Sequence, residues 1–73
     1  MRRQDPQAVR RRVARNIRRL AEERGYSLNE LADVAGLSRS HLYNALRGGN
    51  ALTTDWLTHL ANALDVRVGE LLG

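Results

Sequence analysis

Apolar residues recur along the chain at the three- and four-residue spacing of a helix, and no segment alternates as a strand would. From Val9 to Arg24, the positions Val9, Val13, Ile17, Leu20 and Ala21 share one face, with Arg11, Arg12, Arg15, Arg18 and Arg19 opposite. That is an amphipathic helix with one buried stripe. The next three helices start with one repeated device: a capping hydroxyl, an apolar residue before it, and another four positions into the helix. The sets are Tyr26, Ser27 and Leu31; Leu37, Ser38 and Leu42; Leu52, Thr53 and Leu57. Ser27 and Glu30 add a capping box. Val66 and Leu71 frame a further start, although Arg67 between them is a poor cap. The pattern predicts five helices, over residues 8–24, 28–35, 39–46, 54–64 and 68–72, with no internal repeat and no low-complexity tract.

The stretch from Leu28 to Arg47 organises the rest. Leu31, Ala35, Leu37, Leu42 and Ala45 are apolar, Ala32 is small, and Gly36 sits between two helical runs where a left-handed backbone is needed. Two short helices joined by a tight turn are the pattern of a helix-turn-helix, whose second helix enters the DNA major groove. The segment SLNELADVAGLSRSHLYNALRGG resembles the Cro and phage-repressor (XRE-type) helix-turn-helix family, and the likeness continues through LTHLANALDVRVGELLG. The resemblance implies an all-α, compact five-helix domain of the lambda-repressor-like DNA-binding type, with the helix-turn-helix at 28–47. It also implies a sequence-specific double-stranded DNA-binding transcriptional regulator, a repressor or autoregulator, that works as a two-fold dimer.

Length and charge sharpen this. At 73 residues the chain reads as one domain, near the size at which a lone core becomes marginal and a second subunit helps. Residues 1–8, with Pro6 and little apolar surface, are expected to form a flexible basic arm, and 9–73 the helix-turn-helix domain. Arg2 and Arg3 on the arm can reach phosphates or a minor groove, a frayed terminus being the plainer outcome. The net charge of +4 is unevenly spread. Residues 1–24 hold nine arginines against Asp5, Glu22 and Glu23, whereas the remainder holds three arginines against five acids. In the first helix the arginines come early and the glutamates late, against the helix dipole, and Arg18 to Glu22 is the weaker orientation of an i,i+4 pair. Local helix energetics therefore do not explain the arginines. A polyanion partner does, with a solvated face as the alternative.

On the third helix one face is polar and rich in donors, and the other carries Leu42, Ala45 and Leu46. Arg39 has the fork for guanine O6 and N7, and Asn44 can pair with adenine N6 and N7. Ser40 is short enough for close approach, and Tyr43 can meet a thymine methyl or a phosphate. These four are the candidate base contacts, and by resemblance they match the family's base-reading positions. Phosphate contacts are expected from helix amino ends and the loop after the third helix: Ser27 and Asn29, Ser38, Arg47 and Asn50. Ser27 and Ser38 serve equally well as caps.

Two departures from the family stand out. Leu28 occupies a place where many relatives carry a phosphate-binding glutamine, so that contact is lost or passes to Asn29. Ala21 and Leu46 replace a buried arginine–glutamate pair of many relatives, a paired loss that leaves no stranded charge. The two are expected to meet across an apolar contact between helices 1 and 3. Helices 4 and 5 carry Leu57, Leu60, Ala61, Leu64, Val66, Val68, Leu71 and Leu72, more than a short helical pair needs, which suggests a homodimer interface there. Trp56, off the Leu57, Leu60 and Leu64 stripe, reads as a half-buried core residue, with an interface anchor as the sharper alternative.

The chain lacks cysteine, an apolar run of membrane length and a secretory signal, so it reads as soluble and cytoplasmic, nucleoid-associated when bound to DNA. His41 and His59 have no nucleophile or metal-ligand cluster at motif spacing, so no enzyme, metal or cofactor is expected. A ligand-sensing domain has no room, and no small-molecule ligand is expected. The serious rival is a protein-interaction module on the same scaffold, antitoxin-like or an adaptor subunit, without DNA binding.

Overall fold

The first four helices each begin on a side chain that accepts a hydrogen bond from its own first turn. In the computed structural model, which describes residues 3–73, they are α1 (Pro6–Glu23), α2 (Leu28–Ala35), α3 (Arg39–Leu46) and α4 (Thr54–Leu64), followed by α5 (Val68–Leu72). The capping oxygens of Ser27, Ser38 and Thr53 accept from the backbone N–H groups of Glu30, His41 and Trp56, and Glu30 returns the bond to Ser27 N, completing the capping box. Arg67 precedes α5 without a side-chain cap, as its chemistry requires. Among the described residues there is no strand.

The start of α1 differs from expectation. Asp5 accepts from Gln7 N at 3.0 Å and Pro6 occupies the first turn, so residues 6–8 are helical rather than part of an arm. Proline at a helix start fills a position whose N–H would have no partner, and its fixed φ suits the helix. Arg2, named above as an arm contact, lies outside the described residues. The i,i+4 ion pair on α1 is Arg19 with Glu23, 3.2 Å apart.

The core draws on all five helices: Val13 and Ile17 from α1, Leu31 from α2, Leu42 from α3, Leu60 and Leu64 from α4, and Leu71 from α5 are fully buried. Each such side chain contributes about 1.5–3 kcal/mol by leaving water. Helices of eight residues or fewer are not stable alone, so α2, α3 and α5 are helical because they are packed. α1 lies on α5, and α2 on both α3 and α4. Between α2 and α3 the chain turns through Gly36, whose φ of 72° lies in the left-handed region. Ala21 and Leu46 are both buried in this common core, and α1 packs on α3.

Three features were not foreseen. Asn16 falls within the buried stripe of α1, and its Nδ2 donates to the Leu71 carbonyl at 2.9 Å, tying the first helix to the last. Trp56 is buried rather than half-buried, 5% exposed, because its position in the first turn of α4 sets its ring beside the α2–α3 turn, 6.1 Å from the His41 ring. The apolar surplus on α4 and α5 is also smaller than expected. Leu57, Leu60, Ala61, Leu64 and Leu71 are used within the chain, leaving Leu72 exposed and Ala63, Val66 and Val68 partly buried.

Two outcomes follow from these contacts. Asn16→Ala strands the Leu71 carbonyl and opens a small void, and is expected to cost about 1–3 kcal/mol in urea denaturation. The Glu30 carboxyl is held below its ordinary value of 4.5, first by its bond from the Ser27 backbone N–H and then by the Ser27 side chain. A carboxyl lowered on folding stabilises fully above its unfolded value and loses that contribution as pH falls through the folded one. Glu30→Gln keeps the bonding geometry without the charge, so the fall in melting temperature below about pH 4.5 should be shallower than in the unsubstituted chain.

Candidate nucleic-acid interface

Helix α3 divides cleanly between a buried back and a wet front. Leu42, Ala45 and Leu46 face the core, while Arg39, Ser40, Tyr43, Asn44 and Arg47 are exposed. A helix in the major groove must pack its back on the domain and offer hydrogen-bonding side chains to base edges. The front borders an open groove of about 420 Å³ lined by Ser40, Tyr43, Asn44 and Arg47, with Arg18 of α1 on the far side. Three candidate base contacts, one candidate phosphate contact and a second arginine thus share one concave surface.

These side chains are held by neighbours rather than left to wander. Tyr43 donates its hydroxyl to Asn29 Oδ1 at 3.0 Å, bridging α3 to the amino end of α2. Arg47 donates through Nη2 to Asn44 Oδ1 at 3.0 Å. An amide oxygen has two lone pairs, so Asn44 keeps one acceptor site and both N–H donors. Asn29 likewise keeps its amide donors for a phosphate. Arg39 stands at the α2–α3 turn, where Nε and Nη2 bond the two oxygens of Asp33 at 3.2 and 2.7 Å. The arginine's hydrogen bond holds the Asp33 carboxyl below the usual range, and the same bond holds the guanidinium more firmly charged.

The remaining candidates occupy the helix starts and the loop. Ser27 and Ser38 are exposed caps whose oxygens accept from their own helices, leaving each hydroxyl hydrogen to donate outward. Asn50 is partly buried and does not line the groove. The loop before it runs close to α3: a Cβ at Gly49 would sit 3.2 Å from the Asn44 carbonyl, so a larger residue would push against that helix. Leu28 packs partly buried against the core.

Comparison with known proteins now decides the family. The Cro/C1-type HTH DNA-binding domain matches residues 16–73, taking in the carboxyl-terminal part of α1 and every later element. The chain belongs to this family. A curated relative in Thermococcus kodakarensis, provisionally named an HTH-type transcriptional regulatory protein, is 41% identical over 54 residues, covering 74% of this chain. The chain spans 17% of that relative's length. Among solved structures, the restriction-modification controller protein C.AhdI from Aeromonas hydrophila superposes with a TM-score of 0.80 at 31% identity, over 88% of this chain and 97% of that one. A hypothetical transcription factor from Neisseria, NHTF, gives 0.86 at 29% identity, over 100% of this chain and 84% of that one.

In this Cro/C1-type domain, two residues of the candidate interface were not legible in the sequence. Arg18 was visible only as one of many arginines on the polar face of α1; its place across the groove from Asn44 depends on the α1–α3 packing. Asp33 carried no signal, because six residues across a turn is no helical neighbour spacing. Among the described residues no cluster of three or more His, Cys, Asp or Glu could hold a metal. No helix there is long and apolar enough to cross a membrane.

Proposed function

We propose that the chain is a sequence-specific double-stranded DNA-binding transcriptional regulator that reads the major groove with α3. The observation that carries this is the exposed front of α3 in a family of DNA-binding domains: donors for base edges stand over a groove flanked by arginines. Arg39, Ser40, Tyr43 and Asn44 face bases. Ser27, Asn29, Ser38, Arg47 and Asn50 take phosphates, with Arg18 added from α1. The amino ends of α2 and α3 supply backbone donors and partial positive charge for the same phosphates. A regulator of this kind acts as a repressor or autoregulator without catalysis, metal or small-molecule ligand.

A homodimer fits the remaining apolar surface. Leu72 is 42% exposed at the end of α5, and Val66 and Val68 near the start of that helix are partly buried. Pairing of α4 and α5 ends across a two-fold axis would place two α3 helices on half-sites about one DNA turn apart.

Salt is the first test. Affinity for a duplex selected from a random pool should fall steeply and log-linearly with ionic strength as counterions are released. Arg39→Ala should cost about 5- to 150-fold in affinity for that duplex and relax discrimination at one base pair. Affinity that ignores salt, or selection that proceeds equally without Arg39, overturns the assignment and leaves the protein-interaction reading.

Arg18→Ala separates phosphate from base contacts. It should weaken selected and random duplexes alike and reduce the logarithmic salt slope by about 1. Binding isotherms at four salt concentrations measure both quantities.

A further inference from the structure

We propose that Asp33 is a positioning residue for base recognition: it clamps one edge of the Arg39 guanidinium and leaves the other edge aimed at a guanine. This rests on the reading of α3 as the base-reading helix. The Asp33 carboxylate takes Nε–H and one Nη2–H, at 3.2 and 2.7 Å. A guanidinium carries five N–H groups, and those three that remain include the parallel pair on the Nη1–Nη2 edge. Guanine O6 and N7 require such a pair. The clamp therefore consumes the edge that guanine does not need.

Local energetics do not account for Asp33. Aspartate is a weak helix former, and here it stands in the last turn of α2, where the dipole disfavours negative charge. Arg39 is equally ill-placed, a cation in the first turn of α3. Both side chains are more than half exposed, at 57% and 56%, and exposed ion pairs add little to folding stability. An acid this close to the proposed DNA surface also repels phosphates. What the pair supplies is direction. A long, free arginine must lose its rotamer freedom on meeting a base, whereas a clamped one has lost it beforehand.

The experiment uses the full chain and a duplex selected from a random pool by the unsubstituted protein. Fluorescence anisotropy then compares the four duplexes that differ only at the base pair whose preference Arg39→Ala relaxes, sets of four varied at each other specified pair, and a random duplex. Asp33→Ala should lower the preference at that pair by about fivefold or more, leave other positions within about twofold, and leave affinity for random DNA unchanged or higher. Asp33→Asn, which keeps one acceptor oxygen and loses the charge, should fall between. Adding Asp33→Ala to Arg39→Ala should change nothing further at that pair. Thermal melts of each variant confirm folding. The proposal is overturned if both Asp33 variants retain the preference, or if discrimination declines evenly at every position, as a purely structural role would produce. A starting protein that selects no sequence fails before any variant is made; that result sinks the functional reading and this one with it.

Discussion

An eight-residue helix cannot stand alone in water, and α3 is an eight-residue helix. Its existence depends on burying Leu42, Ala45 and Leu46, and that burial is what turns the other side outward. Stability and presentation are thus one event: the leucine that holds α3 on the core also decides which of its side chains a duplex would meet. Leu42 has no exposed surface, and its helical neighbours across the axis are the exposed donors. Rotating α3 to bury Tyr43 or Asn44 would expose Leu42. The packing loss opposes any such slip, so the donor face is held in register by core residues that never touch DNA.

Around that helix the fold places support on three sides. α2 grips it twice, through Asn29 to Tyr43 and Asp33 to Arg39, so each end of α2 holds one residue of the polar face of α3. α1 closes the groove with Arg18, and the loop at Gly49 passes close behind the α3 carboxyl end. The Asn16 bond to Leu71 fastens α1 to α5 on the face of α1 opposite Arg18, which keeps the first helix in position to flank the groove. Side chains held by packing and by hydrogen bonds to neighbours lose less entropy on binding than free ones.

The sequence revealed what is local. Caps, the apolar pairs that flank them and the left-handed glycine act over five residues or fewer, so Ser27, Glu30, Ser38, Thr53 and Gly36 are legible in the sequence. The division of α3 into a wet face and a dry face was legible for the same reason, since it follows from 3.6 residues per turn. Bonds between elements were not. Asp33 to Arg39 and Asn29 to Tyr43 depend on the angle at which α3 leaves the turn, and no spacing rule encodes that angle. The early start of α1 is different: aspartate before proline is a local start signal, and it was outweighed by the scarcity of apolar residues ahead of Ala8. Trp56 was misjudged because a stripe drawn through Leu57, Leu60 and Leu64 describes one face of α4, whereas its first turn is covered from a second direction by the α2–α3 turn.

Charge links the architecture to its use. Among the described residues the ion pairs are Arg19 with Glu23 and Arg39 with Asp33, so Arg11, Arg15 and Arg18 on exposed positions of α1 are not offset by any such pair. None of these cations lies in the first or last turn of α1, so neither a helix end nor such an ion pair gives them a role within the fold. A field directed outward would give them one: it attracts a polyanion over a distance of about one Debye length, roughly 8–10 Å, and raises the rate of encounter without choosing a sequence. Arg18 stands where that field meets the groove of α3, so attraction and recognition share a boundary at one side chain. On the proposed reading the two tasks fall to different helices: α1 brings the duplex in, and α3, locked by its own hydrophobic back, tests which duplex it is.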